Sequence, residues 1–261
     1  MNLLTVTNLS AGYAGKQVIK DISFFVAPKT IVGILGANGC GKTTLIKAIA
    51  NLLPHTGSCQ LDDTYLENAS PRQLALLCGY IPQKSGISID LTLLDVVLMG
   101  FNPKLSLLQS PTEQMKKEAF DALCSVGLGS RKDDNFQQLS EGQKQLRLLA
   151  RTFVLKRRLL LLDEPESALD FRLRYEMMGL LRTYVVKNNA AALVTLHALN
   201  YCDTLLVLSD CGLSGELQPF STPISKMEPL LSSIYGTISL TTLSTRRGEK
   251  RLIMIKEDDA C

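Results

Sequence analysis

"TIVGILGANGCGKTTLIKAIA", from Thr30 to Ala50, joins an apolar run, a glycine-rich loop and a segment with apolar residues at helical spacing. A near-continuous apolar run is typical of a strand that is buried on both faces of a parallel sheet. The loop follows this run directly, and the periodic segment after it predicts a helix. The order of strand, loop and helix therefore predicts the first unit of an α/β core.

The loop itself, Gly36 to Thr44, has the G-x-x-x-x-G-K-T spacing of a phosphate-binding P-loop. Glycines let the backbone turn tightly, so that N–H groups and the N-terminus of the next helix can surround an anion. Lys42 would neutralise the β and γ oxygens of a nucleotide, the Thr43 hydroxyl would reach Mg²⁺, and Thr44 would face the α-phosphate. The flanking strand and helix disfavour the alternative, a turn that binds nothing. The predicted binding residues are Gly36, Asn38, Gly39, Cys40, Gly41, Lys42, Thr43 and Thr44.

Two more apolar runs extend this core. Leu159–Leu162 and Ala191–Leu196 predict buried strands, and the segment Phe171–Lys187 between them has helical periodicity. Strands that alternate with helices favour an α/β class. We therefore expect a P-loop NTPase core with a mainly parallel sheet.

The remaining segments predict additions to this core. Leu3–Pro28 alternates apolar and polar residues around glycines, which predicts an antiparallel β portion. Leu91–Leu128 predicts a helical subdomain, and Ile238–Ile255 has the pattern of a short C-terminal β hairpin. We expect a single domain over residues 1–261, with a catalytic core at about 1–83 and 156–218, a helical subdomain at about 84–155 and a C-terminal extension at about 219–261.

The bulk composition excludes several classes of protein. The chain has 261 residues, 46% of them apolar, and its basic and acidic residues are interspersed and leave a net charge of +3. This is a globular composition without a polybasic nucleic-acid footprint, and the run Lys156–Arg158 is interpreted as a solvated helix end. No apolar stretch reaches the roughly 18 residues that span a bilayer, and no signal-peptide pattern is present. Seven cysteines without a CxxC pair predict a reduced, cytosolic protein.

Two carboxylates end one of the predicted strands. In "LLLLDEP", Asp163 and Glu164 stand at the carboxyl end of a buried run, where the ligands of parallel sheets collect. With a P-loop upstream, Asp163 would hold the Mg²⁺ shell, and Glu164 would orient or deprotonate the attacking water. In isolation, such a pair would more often form a helix cap or a turn. Ser140 and Gln143 have the spacing of a capping box, for which a plain helix start is the alternative to a functional role.

The motifs occur in a characteristic order: "GANGCGKTT", "YIPQK", "LSEGQ", "LLLLDEP", "SALD" and "TLH". In this order they resemble the Walker A, Q-loop, signature, Walker B, D-loop and switch motifs of the nucleotide-binding subunits of ATP-binding cassette (ABC) transporters, and the resemblance covers nearly the whole chain. It implies ATP and Mg²⁺ as cofactors. It also implies that Tyr13 stacks on adenine, that Gln83 senses Mg²⁺ and water, and that His197 holds the γ-phosphate.

The resemblance further implies a homodimer. Cassette domains pair head to tail with nucleotide between the P-loop of one copy and the signature of the other, so Ser140 and Gly142 would contact the partner's ATP and Asp170 would line the interface. Glu141 departs from the family pattern, because the signature usually has a glycine there. Facing the phosphate, its carboxylate would oppose binding, whereas pointing outward from the first turn it would favour the helix dipole. We expect ATPase activity to be retained.

Two further stretches resemble one branch of the family. "DVVLMGFNPKL" and the tail "IYGTISLTTL" are similar to importers of ferric siderophores, haem and cobalamin. This implies a peripheral ATPase on the cytoplasmic face of the cell membrane, with integral membrane permease subunits as partners, a substrate-binding protein acting indirectly, and no nucleic-acid partner. The alternatives are an exporter, an importer of another solute, a soluble cassette protein of translation or repair, and a cassette that binds ATP without hydrolysing it. The last is disfavoured because all of the expected residues are present, namely Lys42, Gln83, Asp163, Glu164 and His197.

Cys40 has two interpretations. Its position in the loop is variable, so a small thiol can be an unreactive filler while the backbone N–H groups bind the phosphates. Alternatively, the neighbouring Lys42 and the helix N-terminus would lower the pKa of the thiol and make it reactive. In that case, alkylation would block ATP binding, and bound MgATP would protect the cysteine.

Overall fold

The computed structural model describes residues 2–83, 90–106, 108–167, 169–195, 202–209, 214–219, 224–244 and 250–256. Its strands are β1 (Leu4–Tyr13), β2 (Lys16–Val26), β3 (Ile31–Leu35), β4 (His55–Leu61), β5 (Thr64–Tyr65), β6 (Cys78–Ile81), β7 (Leu159–Leu162), β8 (Ala191–Thr195), β9 (Thr204–Ser209), β10 (Ser214–Pro219), β11 (Ile238–Ser244) and β12 (Lys250–Lys256). Its α-helices are α1 (Lys42–Ile49), α2 (Pro71–Leu77), α3 (Leu93–Leu98), α4 (Glu113–Ser125), α5 (Glu141–Phe153), α6 (Phe171–Lys187) and α7 (Ile224–Tyr235).

A six-stranded sheet forms the centre, in the order β10-β9-β3-β8-β7-β6. Neighbouring strands are parallel except for the edge strand β10, which is antiparallel to β9. Strands β3, β7 and β8 are buried at every position, as their apolar runs predict. Because parallel strands end at the same edge, the segments that follow β3 and β7 lie on either side of the last residue of β8. The predicted mainly parallel α/β core is confirmed.

A second sheet, in the order β2-β1-β4-β5, is antiparallel throughout. Its inward side chains and those of α1 pack on one face of the central sheet in a continuous hydrophobic cluster. Each fully buried Leu or Ile of such a cluster contributes about 1.5–3 kcal/mol relative to an exposed one. The predicted antiparallel N-terminal portion is therefore confirmed, and this layer fixes the position of α1 under the central sheet.

A helical region packs on the other face of the central sheet. Helices α3, α4 and α5 contact one another and share a second hydrophobic cluster with β7, β8 and α6. Thr92 caps α3 and Thr112 caps α4, each by accepting a hydrogen bond from a backbone N–H of the first turn. The predicted helical insertion is confirmed, with Pro103 inside a 3₁₀ turn at Met99–Lys104.

The interpretation of Lys156–Arg158 as a solvated helix end is wrong for its central residue. Arg157 is buried, and its guanidinium donates hydrogen bonds to the carbonyls of Ala75 at 2.7 Å and Thr152 at 2.8 Å. Burial lowers the pKa of this side chain. Its bonds connect α2 to the end of α5, because neutral carbonyls from both elements satisfy the buried cation.

The C-terminal segment contributes a helix and the predicted hairpin. Strands β11 and β12 form a separate antiparallel pair, and α7 packs against β11. Met227, Leu231, Ile238 and Leu240 are buried in the same cluster as the helical region. Among the described residues, no helix has both the length and the apolar composition needed to cross a membrane.

Candidate functional site

The glycine-rich loop connects the buried strand β3 to α1. Gly39 and Gly41 have φ angles of +81° and +108°, which side-chain-bearing residues rarely adopt. A Cβ atom on Gly41 would also lie 2.7 Å from Cγ2 of Ile19. The loop therefore needs glycine at position 41 for both backbone conformation and space, and this conformation aims the N-terminus of α1 at the loop.

Lys42, the first residue of α1, turns its side chain back over this loop. Its Nζ atom donates hydrogen bonds to the carbonyls of Gly36 at 2.7 Å and Ala37 at 3.0 Å, and the residue is only 7% exposed. The ammonium group is thus held against the loop rather than in solvent. This is the position from which a cation can act on an anion bound by the same loop.

Asp163 follows β7 at the same sheet edge. It is 2% exposed and accepts hydrogen bonds at Oδ1 from the hydroxyls of Thr43 at 2.9 Å and Thr195 at 3.3 Å. Burial raises the pKa of this carboxyl, while the two hydrogen bonds lower it and leave a net upward shift. No ion pair of Asp163 is found among the described residues. A buried carboxylate beside a hydroxyl is an oxygen-rich donor set that suits Mg²⁺.

Hydrogen bonds hold both the backbone and the side chain of Glu164. Its backbone has a φ of +45°, in the left-handed region that is unusual for a residue with a side chain, and its N–H donates to Thr195 Oγ1 at 2.5 Å. Its carboxylate accepts a 2.5 Å hydrogen bond from Nε2 of Gln83. The structure therefore joins Thr43, Asp163, Thr195, Glu164 and Gln83 in one hydrogen-bonded chain.

The predicted signature segment begins α5. Ser140 is the N-cap residue, and it forms the full capping box with Gln143, as predicted. Glu141 points along its own helix, where its carboxylate lies 2.6 Å from Nζ of Lys144. Because this pair neutralises the acid locally, the structure favours the outward orientation over one that faces a phosphate.

This geometry predicts a small effect for Glu141→Gly. We expect ATP turnover to stay within about threefold of the unsubstituted protein, because exposed ion pairs have weak effects. The unfolding free energy should fall by about 1 kcal/mol, because the helix gains a glycine and loses an i,i+3 pair. Steady-state hydrolysis and thermal unfolding would measure both quantities. An increase in turnover by orders of magnitude would show that the carboxylate obstructs the site.

Four other predicted residues lie as follows. Tyr13 ends β1 with its side chain 45% exposed, so its ring is accessible for stacking. Asp170 is the N-cap of α6 and accepts a hydrogen bond from the Leu173 N–H at 2.8 Å, a structural role beside the predicted one. Gly142 is buried in the first turn of α5. His197 lies outside the described residues.

Cys40 is buried inside the loop. It is 3% exposed, and its sulfur lies so close to Gly36 that a Cβ atom there would be 2.4 Å from it. An alkylating reagent has little access to such a thiol. The structure therefore favours the interpretation of Cys40 as a small filler.

Three further residues near the site have no role predicted from the sequence. Thr195 ends β8, and the adjacency of β7 and β8 brings its hydroxyl to Asp163 and Glu164. Gln145 of α5 donates from Nε2 to the carbonyl of Gln83 at 3.3 Å. Burial raises the pKa of Tyr235, at the end of α7, and a hydrogen bond with the backbone of Gly36 offsets only part of that rise. The available signals for Thr195 were its place at the start of "TLH" and its polar side chain near the end of an apolar run.

Comparisons with known proteins identify the family and the fold. A family model described as ABC transporter matches residues 19–167. The chain is 34% identical over 247 residues to the hemin import ATP-binding protein HmuV of Bordetella parapertussis, covering 89% of this chain and 92% of the relative. It is 36% identical over 244 residues to a Helicobacter pylori protein named "Probable iron chelatin transport ATP-binding protein", covering 90% and 93%. A solved structure described as "An inward-facing conformation of a putative metal-chelate type ABC transporter" shares the fold, with a TM-score of 0.81, 22% identity and coverage of 98% of this chain and 99% of that one.

Proposed function

Because this chain belongs to the ABC transporter family and is one of its ATP-binding, ATP-hydrolysing subunits, we propose that it powers import of an iron complex, haem or a ferric siderophore, through a separate membrane permease. The observation that carries the ATPase chemistry is the hydrogen-bonded chain from Thr43 to Gln83. The names of the two relatives support the cargo, since each relative matches this chain over most of both lengths.

In the proposed mechanism, the P-loop binds the triphosphate of ATP and Lys42 stabilises the charge on its β and γ oxygens. Glu164 accepts a proton from a water molecule whose oxygen attacks the γ-phosphorus. The bond between that phosphorus and the bridging oxygen breaks, and ADP and inorganic phosphate leave. Thr43, Asp163 and Gln83 would hold Mg²⁺, which when bound neutralises charge on the phosphates. The buried position of Asp163 and the bond of Gln83 to Glu164 support these roles.

The remaining proposed contacts to nucleotide lie outside the P-loop and the two carboxylates. Tyr13 would stack on adenine with its exposed ring, and His197 would hold the γ-phosphate. Ser140 and Gly142 would bind the ATP of a second copy, with Asp170 at the interface of the resulting homodimer. The helix N-terminus at Ser140 supports this role, because its dipole favours an anion.

We further propose that the chain works as one domain at the cytoplasmic face of the cell membrane. The catalytic core would comprise about residues 1–83 and 156–218, the helical subdomain about 84–155 and the C-terminal extension about 219–261. A substrate-binding protein would act indirectly, through the permease. The proposed cargo would then never contact this chain.

Co-purification followed by transport tests this proposal. The tagged chain, extracted from membranes in mild detergent, should retain a multi-span permease, and the reconstituted complex with its binding protein should take up haem or a ferric siderophore in an ATP-dependent manner. ATP-dependent uptake of cobalamin or another solute alone would contradict the cargo but not the ATPase. Recovery of ribosomes or DNA in place of a permease would contradict the transport role.

A further inference from the structure

Thr195 occupies the middle of the catalytic edge of the sheet. It is the last residue of β8, which lies between β3 and β7, and its Cα pairs with Ile34 of β3. On the other side, β7 pairs with β8 up to Leu162, the residue before Asp163. Thr195 therefore lies between the strand that leads into the P-loop and the strand that leads into the two carboxylates. Its side chain is fully buried.

The hydroxyl of Thr195 can donate one hydrogen bond, and it donates it to a carboxylate. It donates to Oδ1 of Asp163 at 3.3 Å and accepts the backbone N–H of Glu164 at 2.5 Å. A threonine hydroxyl can donate once and accept twice, so both directions are in use. One buried side chain thus contacts two consecutive residues of the site through different atoms.

The bond to Glu164 matters because of the conformation at that residue. With a φ of +45°, Glu164 is in a region that residues with a Cβ atom populate sparsely, and such conformations persist only where the surroundings enforce them. The direction of the Cα–Cβ bond depends on this backbone conformation. The atom that fixes the Glu164 N–H consequently also fixes where its carboxylate points.

We propose that Thr195 is a positioning residue for ATP hydrolysis, whose hydroxyl holds Glu164 in the left-handed conformation and orients Asp163. The inference rests on the proposed role of Glu164 as the base. The Thr195 hydroxyl bonds the Glu164 N–H and Asp163 Oδ1, and it acts by directing Glu164. Its loss should therefore lower kcat and leave the binding of ATP in place.

Three variants separate the hydroxyl from the packing. Thr195→Val keeps the volume but removes both hydrogen bonds, and we expect kcat to fall by about 10- to 100-fold with KM for ATP within about threefold. Thr195→Ser keeps the hydroxyl but leaves a small cavity, and we expect kcat within about threefold of the unsubstituted protein together with a lower melting temperature. Thr195→Cys, with a weaker donor and acceptor, should give an intermediate kcat. If the valine variant does not fold, Thr195→Cys replaces it in the comparison with Thr195→Ser.

The measurements include a readout other than turnover. The dissociation constant of a fluorescent ATP analogue should stay within about threefold in all three variants. Thr183→Val is the matched control, because its hydroxyl bonds the Gly179 carbonyl of its own helix, at 2.9 Å, and its turnover should be unchanged. A purely structural role would instead reduce stability, affinity and turnover together, and the serine variant would then be affected as strongly as the valine variant.

Glu164→Gln, measured in parallel, distinguishes failure of the inference from failure of the proposed function. If Glu164→Gln is inactive and Thr195→Val turns over normally, the positioning role is refuted and the proposed base stands. If serine and valine lower kcat equally, packing rather than the hydroxyl is responsible, and the inference is again refuted. If Glu164→Gln retains normal turnover, the proposed base is wrong, and the inference built on it falls with it.

Discussion

Glu164→Gln should reduce ATP hydrolysis by about 10²- to 10⁴-fold and leave ATP binding nearly unchanged. The amide keeps one oxygen, which can still accept the hydrogen bond that Gln83 donates to the native carboxylate. The backbone bond to Thr195 involves only the Glu164 N–H and is not altered. The substitution therefore removes the proton acceptor and preserves the geometry around it. Single-turnover hydrolysis and the affinity for a fluorescent ATP analogue would measure the two effects.

The matched control is Glu176→Gln, the same chemical change at an exposed position of α6 where the carboxylate pairs with Arg172. Its turnover should equal that of the unsubstituted protein. Because ATP would persist in the Glu164→Gln variant, the mass in light scattering should double on addition of MgATP, in accord with the proposed homodimer. Turnover near the normal rate would assign the role of the base to another residue.

Lys42→Ala should weaken ATP binding by about tenfold to a hundredfold. A hydrogen bond to a charged group contributes about 1.5–3 kcal/mol, which corresponds to a change of this size. Lys42 is held against the loop by the carbonyls of Gly36 and Ala37, so the charge is already in place before nucleotide binds. Alanine leaves the helix intact because it is the strongest helix former. Titration with a fluorescent ATP analogue gives the dissociation constant directly.

Lys20→Ala removes the same charge from an exposed position of β2 and should leave ATP affinity unchanged. Comparison of the two variants separates the effect of the position of the charge on ATP affinity from the effect of the change in net charge. A dissociation constant for Lys42→Ala within about twofold of the native one would refute a direct action of Lys42 on the phosphates.

The parts of the fold that follow from local pattern could be predicted. Strands β3, β7 and β8 are apolar at nearly every position because both of their faces are covered. Their local sequence alone therefore predicts them. Strand β6 carries a weaker signal, since "CGYI" is short and only half buried. Its position beside β7 depends on tertiary contacts, which the local sequence does not encode.

Residues whose role depends on contacts between distant elements could not be predicted. Arg157 belongs to a cationic run, and only the carbonyls of Ala75 and Thr152 explain its burial. Thr195 begins the motif "TLH", but its contacts with Asp163 and Glu164 follow only from the placement of β8 between β3 and β7. By contrast, Lys42, Asp163 and Glu164 stand in motifs whose spacing encodes their geometry, and the structure brings them to one edge of the sheet.

Two polar residues near the start of helix α5 face different partners. Its N-terminus carries Ser140, proposed to meet the nucleotide of the second copy, and one turn later Gln145 donates to the carbonyl of Gln83 in the site of its own copy. A shift of this helix on engaging the partner's nucleotide would therefore displace Gln83, the residue bonded to Glu164. In the proposed homodimer, such a displacement would make hydrolysis at one site depend on occupancy of the other, which would couple the two ATP molecules.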